Sequence, residues 1–298
     1  MIAILGGCVS DANPPAMSFL LTEPYEEREP VPSPDGKRLA FLADSDGDGA
    51  NELWISDIRG GGARRIPVDG HFASAIAWRP DGKRLVGARR TAPGQAGLVE
   101  VDPDEGDATP IDAPGADATT PALSPDGRFL AYAARPDAAS SLSVWLAAAD
   151  GGDAAMIAPS KEQSLWPRFT PDSEAIAFFS RRDTAGEDDE LYLFMIRTGD
   201  VSRLTRQRGH DFTPAPSPDG RYLAYIANRD GRPALHVMEM RSGANCRLAL
   251  EDHAAAHPAW SVDGDRLFAT VRREGRPADI AAIRFSSGWF RNACAKSQ

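Results

Sequence analysis

The sequence predicts an all-β fold, a six-bladed β-propeller of four-stranded antiparallel blades whose ring is closed by the N-terminal strand. Three observations predict it: a tetrapeptide recurs six times, alternating apolar residues flank each copy, and no segment shows sustained helical periodicity. The copies begin at Ser33, Arg79, Ser124, Thr170, Ser217 and Ser261. Their start-to-start steps are 46, 45, 46, 47 and 44 residues, the period of a propeller blade.

The tetrapeptide, which reads Ser-Pro-Asp-Gly in its best copies, predicts a tight turn between the first two strands of each blade. Proline presets φ, aspartate accepts local hydrogen bonds, and glycine adopts the positive φ. The fourth copy ends in Ser173 and the sixth carries Val262 where the others have proline. Since this turn serves the fold, specificity is expected from the residues that differ between copies, above all those a few positions upstream.

Two further strands complete each unit, a third strand after a polar loop and a short fourth strand after a Gly-containing turn. Residues 17–22 precede the first tetrapeptide as residues 201–205 precede the fifth. We therefore predict that residues 17–22 supply the outer strand of the sixth blade, which leaves no open edge. The predicted organisation is a signal-like or disordered segment over 1–16, one propeller domain over 17–290 and a tail over 291–298.

Charge and hydropathy exclude some classes of partner. The 298 residues carry a net charge of −10, which argues against binding nucleic acid or an anionic membrane surface through bulk charge. No apolar run is long enough to span a bilayer. We expect a monomer that contacts a membrane only through a lipid anchor, if one is attached.

The N-terminus supplies the candidate for that anchor. An apolar stretch ends in Leu-Gly-Gly-Cys8, which resembles a bacterial lipobox with Cys8 as the lipidated residue, although a chance apolar start is the alternative. Lipidation would place the protein in the periplasm or at the outer membrane. Cys246 and Cys294 then remain as an even pair that an oxidising compartment could join, while two buried free thiols are the plainer interpretation.

The full repeat reads Pro-x-[Trp/Phe]-Ser-Pro-Asp-Gly-x-x-[Leu/Ile]-Ala-[Phe/Tyr], followed by an aromatic strand and Gly-Gly. It resembles the TolB-type propeller repeat over roughly residues 18–290. This repeat also occurs in the propellers that precede prolyl-oligopeptidase-like domains. The sequence shows neither the additional N-terminal α/β domain of TolB nor the Gly-x-Ser-x-Gly of the peptidases. The resemblance implies a non-enzymatic propeller that binds a protein or peptide in the bacterial cell envelope.

Residues shortly before the tetrapeptides are the candidates for contact with that partner. His71, His210 and His257 lie four to eight residues upstream, and we expect them in loops that line one mouth of the channel. His257 shares its offset with Glu29, Thr120, Trp166 and Thr213. The candidate set is Glu29, His71, Trp166, Arg168, His210 and His257. The alternative function is a metal-dependent hydrolase or lyase at the channel mouth, and the structural alternative is a polar rim.

The sharpest local motif is an acidic loop that reads Asp-Ser-Asp-Gly-Asp-Gly-Ala-Asn-Glu. Alternating carboxylates with glycine at the sixth position can surround Ca²⁺, which needs several oxygen ligands. The candidate ligands are Asp44, Asp46, Asp48 and Glu52. A hairpin loop without metal is the alternative, and no cofactor is required for the predicted binding function.

Overall fold

A computed structural model describes residues 16–92, 95–184, 187–229, 231–248, 250 and 253–294. These residues form 24 strands in six four-stranded sheets and one helix, so the predicted all-β six-bladed propeller is confirmed. Cys8, and with it the predicted lipidation, lies outside the described residues. Within them, no helix is long and apolar enough to cross a membrane.

The first strand of the chain, β1 (Met17–Phe19), belongs to the last blade, and blades one to three then follow the chain in order. Blade one contains β2 (Glu26–Pro32), β3 (Arg38–Asp44), β4 (Glu52–Asp57) and β5 (Arg64–Arg65). Blade two contains β6 (Phe72–Trp78), β7 (Leu85–Ala92), β8 (Gln95–Val101) and β9 (Ala108–Pro110). Blade three contains β10 (Ala116–Leu123), β11 (Phe129–Arg135), β12 (Ser143–Ala148) and β13 (Ala155–Met156).

The second half of the ring repeats the pattern. Blade four contains β14 (Ser164–Phe169), β15 (Ala175–Ser180), β16 (Glu190–Met195) and β17 (Val201–Arg203). Blade five contains β18 (His210–Pro216), β19 (Tyr222–Asn228), β20 (Ala234–Glu239) and β21 (Asn245–Arg247). Blade six contains β22 (Ala254–Trp260), β23 (Arg266–Arg272), β24 (Ala278–Arg284) and β1.

The ring closes as the sequence predicts. β1 pairs antiparallel with β24, with Met17 opposite Ile283 and Phe19 opposite Ala281. The first strand of each blade contacts the first strand of the next, and β22 of blade six contacts β2 of blade one. These six first strands therefore surround the central channel. Leu21 is buried with Ile280 of blade six and Phe41 of blade one, so the N-terminal stretch also fills the seam between these blades.

The tetrapeptide forms the predicted turn in all six copies. A backbone hydrogen bond of 2.8–2.9 Å from the fourth to the first residue closes each turn. In the first copy the carboxylate of Asp35 accepts a hydrogen bond from Ser33 Oγ at 2.6 Å, and Gly36 has a φ of +69°. Ser173, which replaces glycine in the fourth copy, adopts a φ of +62°.

The six turns also pack against one another around the channel. A Cβ atom placed on Gly82 would lie 3.8 Å from Cδ of Pro34, in the preceding turn. Gly264 lies equally close to Pro218 of the preceding turn. Gly36 of the first turn lies equally close to Val262 of the last turn, where the ring closes. The proline of one turn is therefore covered by the next turn, and the tetrapeptides together form one rim of the channel.

The strands are apolar on both faces because blades pack on blades from both sides. Every residue of β15 is buried, as is every residue of β19 except Asn228 at its end. Tryptophans at the ends of first strands tie neighbouring blades together. Trp78 Nε1 donates to the carbonyl of Val31 at 3.0 Å, and Trp260 Nε1 donates to the carbonyl of Ala215 at 2.9 Å.

The helix α1 (Ser287–Cys294) follows β24 and packs against blade five. Its Phe290 meets the ring of Tyr222 edge-on, with centroids 5.0 Å apart. Cys294 forms a disulfide with Cys246 in β21, with Cα atoms 5.5 Å apart. The interpretation of these cysteines as free thiols is therefore wrong, because the helix carries Cys294 back to the outer strand of blade five. The helix also crosses the predicted domain boundary at residue 290.

Candidate functional site

Each first strand has a residue in the left-handed region at the same position in every blade, and β10 has a second such residue, Asp117. The six residues have φ between +44° and +60°; they are Glu29, Ala75, Thr120, Trp166, Thr213 and His257. We call them the bulge ring, because an irregularity of pairing with the second strand occurs at each of them. Positive φ is uncommon for residues other than glycine, and a bulge re-aims the side chain. The ring lies within the strands that form the channel wall, whereas the sequence analysis placed these positions in entry loops.

A cavity of about 460 Å³ occupies the channel between the bulge ring and the tetrapeptide turns. We call it the cup. Its inner end is formed by Glu29, Ala75, Trp166 and His257. Its rim includes the second residue of each turn, namely Pro34, Pro80, Pro125, Pro171, Pro218 and Val262. The wall between them is mostly apolar and includes Trp78, Leu123 and Trp260.

Glu29 is the buried acid of the cup. Its carboxylate accepts a hydrogen bond from the backbone N–H of Ala75 in the next blade, and its own N–H donates to Thr270 Oγ1 at 3.1 Å. Burial raises the pKa of Glu29 from 4.5 to about 7, against the lowering effect of the Ala75 hydrogen bond and of the charge on Arg168. Near neutral pH this side chain therefore exchanges readily between acid and carboxylate.

His257 lies between Glu29 and Trp166. Its Nε2 is 3.8 Å from Oε1 of Glu29, and its Nδ1 is 3.3 Å from Thr270 Oγ1. The imidazole stacks on the indole of Trp166, with centroids 5.4 Å apart and planes 21° from parallel. Burial, together with the positive charges of Arg28 and Arg168, lowers the pKa of His257 to about 3. The ring is therefore neutral at physiological pH.

Arg168 adds a positive charge to the same wall. Its guanidinium lies 5.6 Å from the ring centroid of Trp166, and Nη1 donates to the carbonyl of Pro167 at 2.8 Å. Burial lowers its pKa to about 10, and the charge of Glu29 opposes that shift. Arg168 thus stays charged at neutral pH, beside a neutral His257 and a Glu29 that is only partly ionised. The inner cup has an excess of positive charge.

The structure brings four of the six candidate partner-binding residues together in the cup: Glu29, Trp166, Arg168 and His257. It places the other two elsewhere. His210 begins β18, where its Nδ1 lies 2.9 Å from Oδ2 of Asp189. His71 immediately precedes β6, with its Nε2 3.8 Å from Oδ2 of Asp48. Both lie at the starts of first strands, away from the tetrapeptide rim at which those strands end.

The acidic loop connects β3 and β4 of blade one. One carboxylate oxygen from each of Asp44, Asp46 and Asp48 lies within 4.8 Å of the others. Asp44 accepts backbone hydrogen bonds from Gly47 at 3.0 Å and from Gly49 at 3.1 Å, as expected of a polar hairpin loop. Glu52 groups instead with Asp48 and His71, again with ligand atoms within 4.8 Å. Calcium binding by the four predicted ligands stays a prediction.

The sequence did not point to Ala75 and Val262, which line the cup, or to Thr270, which contacts Glu29 and His257 from beside it. Ala75 aligns with Glu29 and His257 of other blades, and Val262 aligns with the prolines of the other tetrapeptides. The alignment of the repeats could therefore have indicated both residues. Thr270 comes from the second strand of blade six, and no spacing in the sequence connects it with Glu29 or His257.

The fold and cup define a closed six-bladed propeller of the Ser-Pro-Asp-Gly type with a pocket at one end of its channel. A family model described as the TolB beta propeller domain matches residues 141–296. The chain therefore belongs to the TolB β-propeller family.

The chain is also similar to individual proteins and solved structures. The chain is 27% identical over 204 residues to the "Uncharacterized peptidase YuxL" of Bacillus subtilis. The aligned region covers 67% of this chain and 22% of that protein. TolB from Acinetobacter baumannii superimposes with a TM-score of 0.64 at 19% identity, over 86% of this chain and 65% of TolB. An "Oligogalacturonate lyase in complex with manganese" superimposes with a TM-score of 0.62 at 16% identity, over 94% and 96%.

The sequence matches cover only part of each relative, and the structural matches have low sequence identity. The chain spans about a fifth, or less, of the length of the curated relatives it matches. The two structural likenesses are below the identity at which function transfers, so they show a shared fold.

Proposed function

We propose that this chain is a binding module that takes up a peptide segment of a partner protein in the cup. The observation that carries the proposal is the cup itself, an apolar pocket of about 460 Å³ with buried polar groups at its inner end. Concave apolar sites with a few convergent polar groups are the usual form of a binding site. The prolines and tryptophans of the wall offer rigid apolar surfaces, which lose little conformational entropy when they are covered.

The charges of the inner cup support a segment that carries an acidic group. Arg168 stays charged while His257 is neutral, and Glu29 can take up a proton as its pKa is about 7. A carboxylate entering the cup would meet the Arg168 guanidinium in a partly desolvated setting, where such pairs are stronger than in water.

The disulfide supports a compartment outside the cytoplasm. Disulfides persist in oxidising compartments such as the bacterial periplasm and are rare in the cytosol. The Cys246–Cys294 pair therefore fits the proposed location in the cell envelope. Lipidation of Cys8 remains a proposal that labelling with a radioactive fatty acid would test.

The peptide proposal can be tested with a displayed library of random 12-residue peptides, panned on the wild-type protein. Val262 is a half-exposed rim residue of the cup, and Val201 is a comparably exposed valine on the outer strand β17. Peptides selected on wild type should bind Val262→Glu at least tenfold more weakly, because a charged side chain at the rim obstructs entry and repels an acidic segment. The Val201→Glu variant should bind them as wild type does.

Acidic residues should also be enriched among the selected peptides. Equal binding of these peptides to Val262→Glu and wild type would rule out the cup as their site.

A second candidate function is a hydrolase or lyase with its site in the same cup. The observation that favours it is the 3.8 Å approach of His257 Nε2 to Glu29 Oε1, with the pKa of Glu29 near 7 as a general acid or base requires. Turnover of oligogalacturonate with Mn²⁺ present, abolished in Glu29→Gln, would support this candidate. Absence of turnover by wild type, together with peptide binding, would support the binding module.

A further inference from the structure

We propose that Asp48, Glu52 and His71 form a binding site for a divalent transition-metal ion, with Zn²⁺ as the ion that best suits the donor set. The site lies at the end of the propeller opposite the tetrapeptide rim, where the β3–β4 loop of blade one meets the start of β6 in blade two. It is separate from the cup and does not depend on the proposed peptide binding.

A short backbone bridge brings these residues together. The N–H of Phe72 donates to the carbonyl of Asn51 at 2.8 Å, and Asn51 Nδ2 donates to the carbonyl of Phe72 at 3.3 Å. The pair forms an isolated antiparallel bridge between the start of blade two and the end of the acidic loop. Because Glu52 follows Asn51 and His71 precedes Phe72, the bridge sets the two side chains next to each other.

The spacing of the donors suits a single ion. One ligand atom from each of the three residues lies within 4.8 Å of the other two, and His71 Nε2 is 3.8 Å from Oδ2 of Asp48. Donors around one tetrahedral zinc ion stand roughly 3.4 Å apart, given zinc–ligand distances of about 2.1 Å. Binding one zinc ion therefore requires the donors to move closer together, through rotation of the exposed Asp48 side chain and the partly exposed His71 side chain.

The state of Glu52 is an independent indication of a ligand. Glu52 is 1% exposed, and its Oε1 is buried without a hydrogen-bond partner. Its Oε2 accepts hydrogen bonds from the backbone N–H and the hydroxyl of Ser45, at 3.0 and 2.7 Å, which hold the carboxylate in place. A buried carboxylate oxygen without a partner is costly, and coordination to a cation removes that cost.

The donor types distinguish this site from the predicted calcium site. An imidazole nitrogen with two carboxylates suits Zn²⁺ and similar ions, whereas Ca²⁺ takes oxygen ligands. The oxygen-only group of Asp44, Asp46 and Asp48 shares one residue with the proposed site. Asp46 is therefore the informative control, because it belongs to the calcium group and not to the group that contains His71.

The test is isothermal titration of Zn²⁺ into the untagged full chain, after treatment with chelator and in a Cys8→Ser background that removes the thiol as a competing ligand. We expect one bound Zn²⁺ per chain and an increase in Tm on binding. His71→Ala should weaken Zn²⁺ binding at least tenfold, and Asp46→Asn should change it by less than threefold. Co²⁺ should give visible absorption bands that His71→Ala abolishes.

Zn²⁺ affinity unchanged in His71→Ala would overturn the proposal, and so would binding of Ca²⁺ without binding of Zn²⁺. Thermal melting without metal checks that each variant folds. If His71→Ala melts early, His71→Gln repeats the test with a polar side chain of similar size, and the same tenfold loss is expected.

Discussion

The imidazole of His257 stacks on the indole of Trp166 across the channel, although the two residues come from blades six and four. Their ring centroids are 5.4 Å apart, and Glu29 of blade one approaches the same imidazole at 3.8 Å. Side chains from blades one, four and six therefore contact one another in the channel, although blade four is not adjacent to the other two. The contact places an imidazole and an indole beside the buried carboxyl group of Glu29 at the inner end of the cup.

Replacing Glu29 with glutamine is expected to reduce the dependence of stability on pH. The pKa of Glu29 rises from 4.5 to about 7 on folding, so between these values the folded protein binds the proton more tightly than the unfolded chain. The contribution of Glu29 to stability is therefore fully present below about pH 4.5 and is lost as the pH rises through about 7. Relative to wild type, the free energy of unfolding of Glu29→Gln should rise by roughly 2–3 kcal/mol between about pH 5 and pH 8.

Urea denaturation at a series of pH values measures this difference. Glu105→Gln, a change of the same chemistry at an exposed position, serves as the control and should follow the wild-type curve. Parallel curves for Glu29→Gln and wild type would show that Glu29 keeps its ordinary acidity in the folded protein.

Gly106→Ala is expected to be strongly destabilising. Gly106 lies between β8 and β9 with a φ of +80°, and an added Cβ would come within 2.4 Å of the carbonyl oxygen of Pro67. The turn would have to move away from the neighbouring chain, at a cost of more than about 2 kcal/mol in the free energy of unfolding.

Gly243→Ala provides the matched control for this change. Gly243 has a φ of +73°, but no atom lies within 4 Å of an added Cβ, so only the backbone term of about 1 kcal/mol is expected. Both values come from chemical denaturation. Equal losses in the two variants would show that contact with Pro67 is unimportant.

Removal of the closing strand should destabilise the whole ring. A chain that starts at residue 23 lacks β1 and Leu21, whereas a chain that starts at residue 16 keeps both. The shorter chain exposes the edge of β24 and the apolar seam between blades six and one. We expect its Tm to be lower by roughly 10 °C. Calorimetry compares the two, and identical melting temperatures would contradict closure by β1.

Breaking the disulfide should weaken the attachment of α1 and the stability of the fold. Cys246 and Cys294 are 48 positions apart, and closing a loop of this length stabilises a protein by roughly 3–4 kcal/mol. The Cys246→Ser/Cys294→Ser double variant should lose that amount in urea denaturation. A reductant should lower wild type to the same level and leave the double variant unchanged. If reductant has no effect on wild type, the two thiols are not paired.

The ring and its closure could be predicted because both follow from local signals. Pro34, Asp35 and Gly36 report a turn by their own chemistry, and five similar turns at a constant period imply one repeated unit. The equivalence of Glu29, Trp166 and His257 could be counted from these turns. Their contact across the channel could not be predicted, because it depends on the reach of the Trp166 side chain from a bulge.

Other features depend on contacts between distant segments. His71 and His210 precede tetrapeptides as His257 does, but a few extra residues of strand place them toward the other end of the channel. The neighbourhood of His71 and Glu52 depends on the bridge between Asn51 and Phe72. The disulfide depends on the position of α1, and this helix of eight residues is too short for its periodicity to be recognised in the sequence.

The bulge ring has a consequence for how such a channel can change. Six positions share one backbone conformation and one depth, yet they hold Glu29, Ala75, Thr120, Trp166, Thr213 and His257. The strand ladders continue on both sides of each bulge, so the pairing does not depend on which side chain stands there. The side chains at these six positions can therefore differ without a change in the strand pairing that forms the channel wall. A combinatorial library at these codons would vary the chemistry of the pocket while the surrounding barrel of blades stays the same.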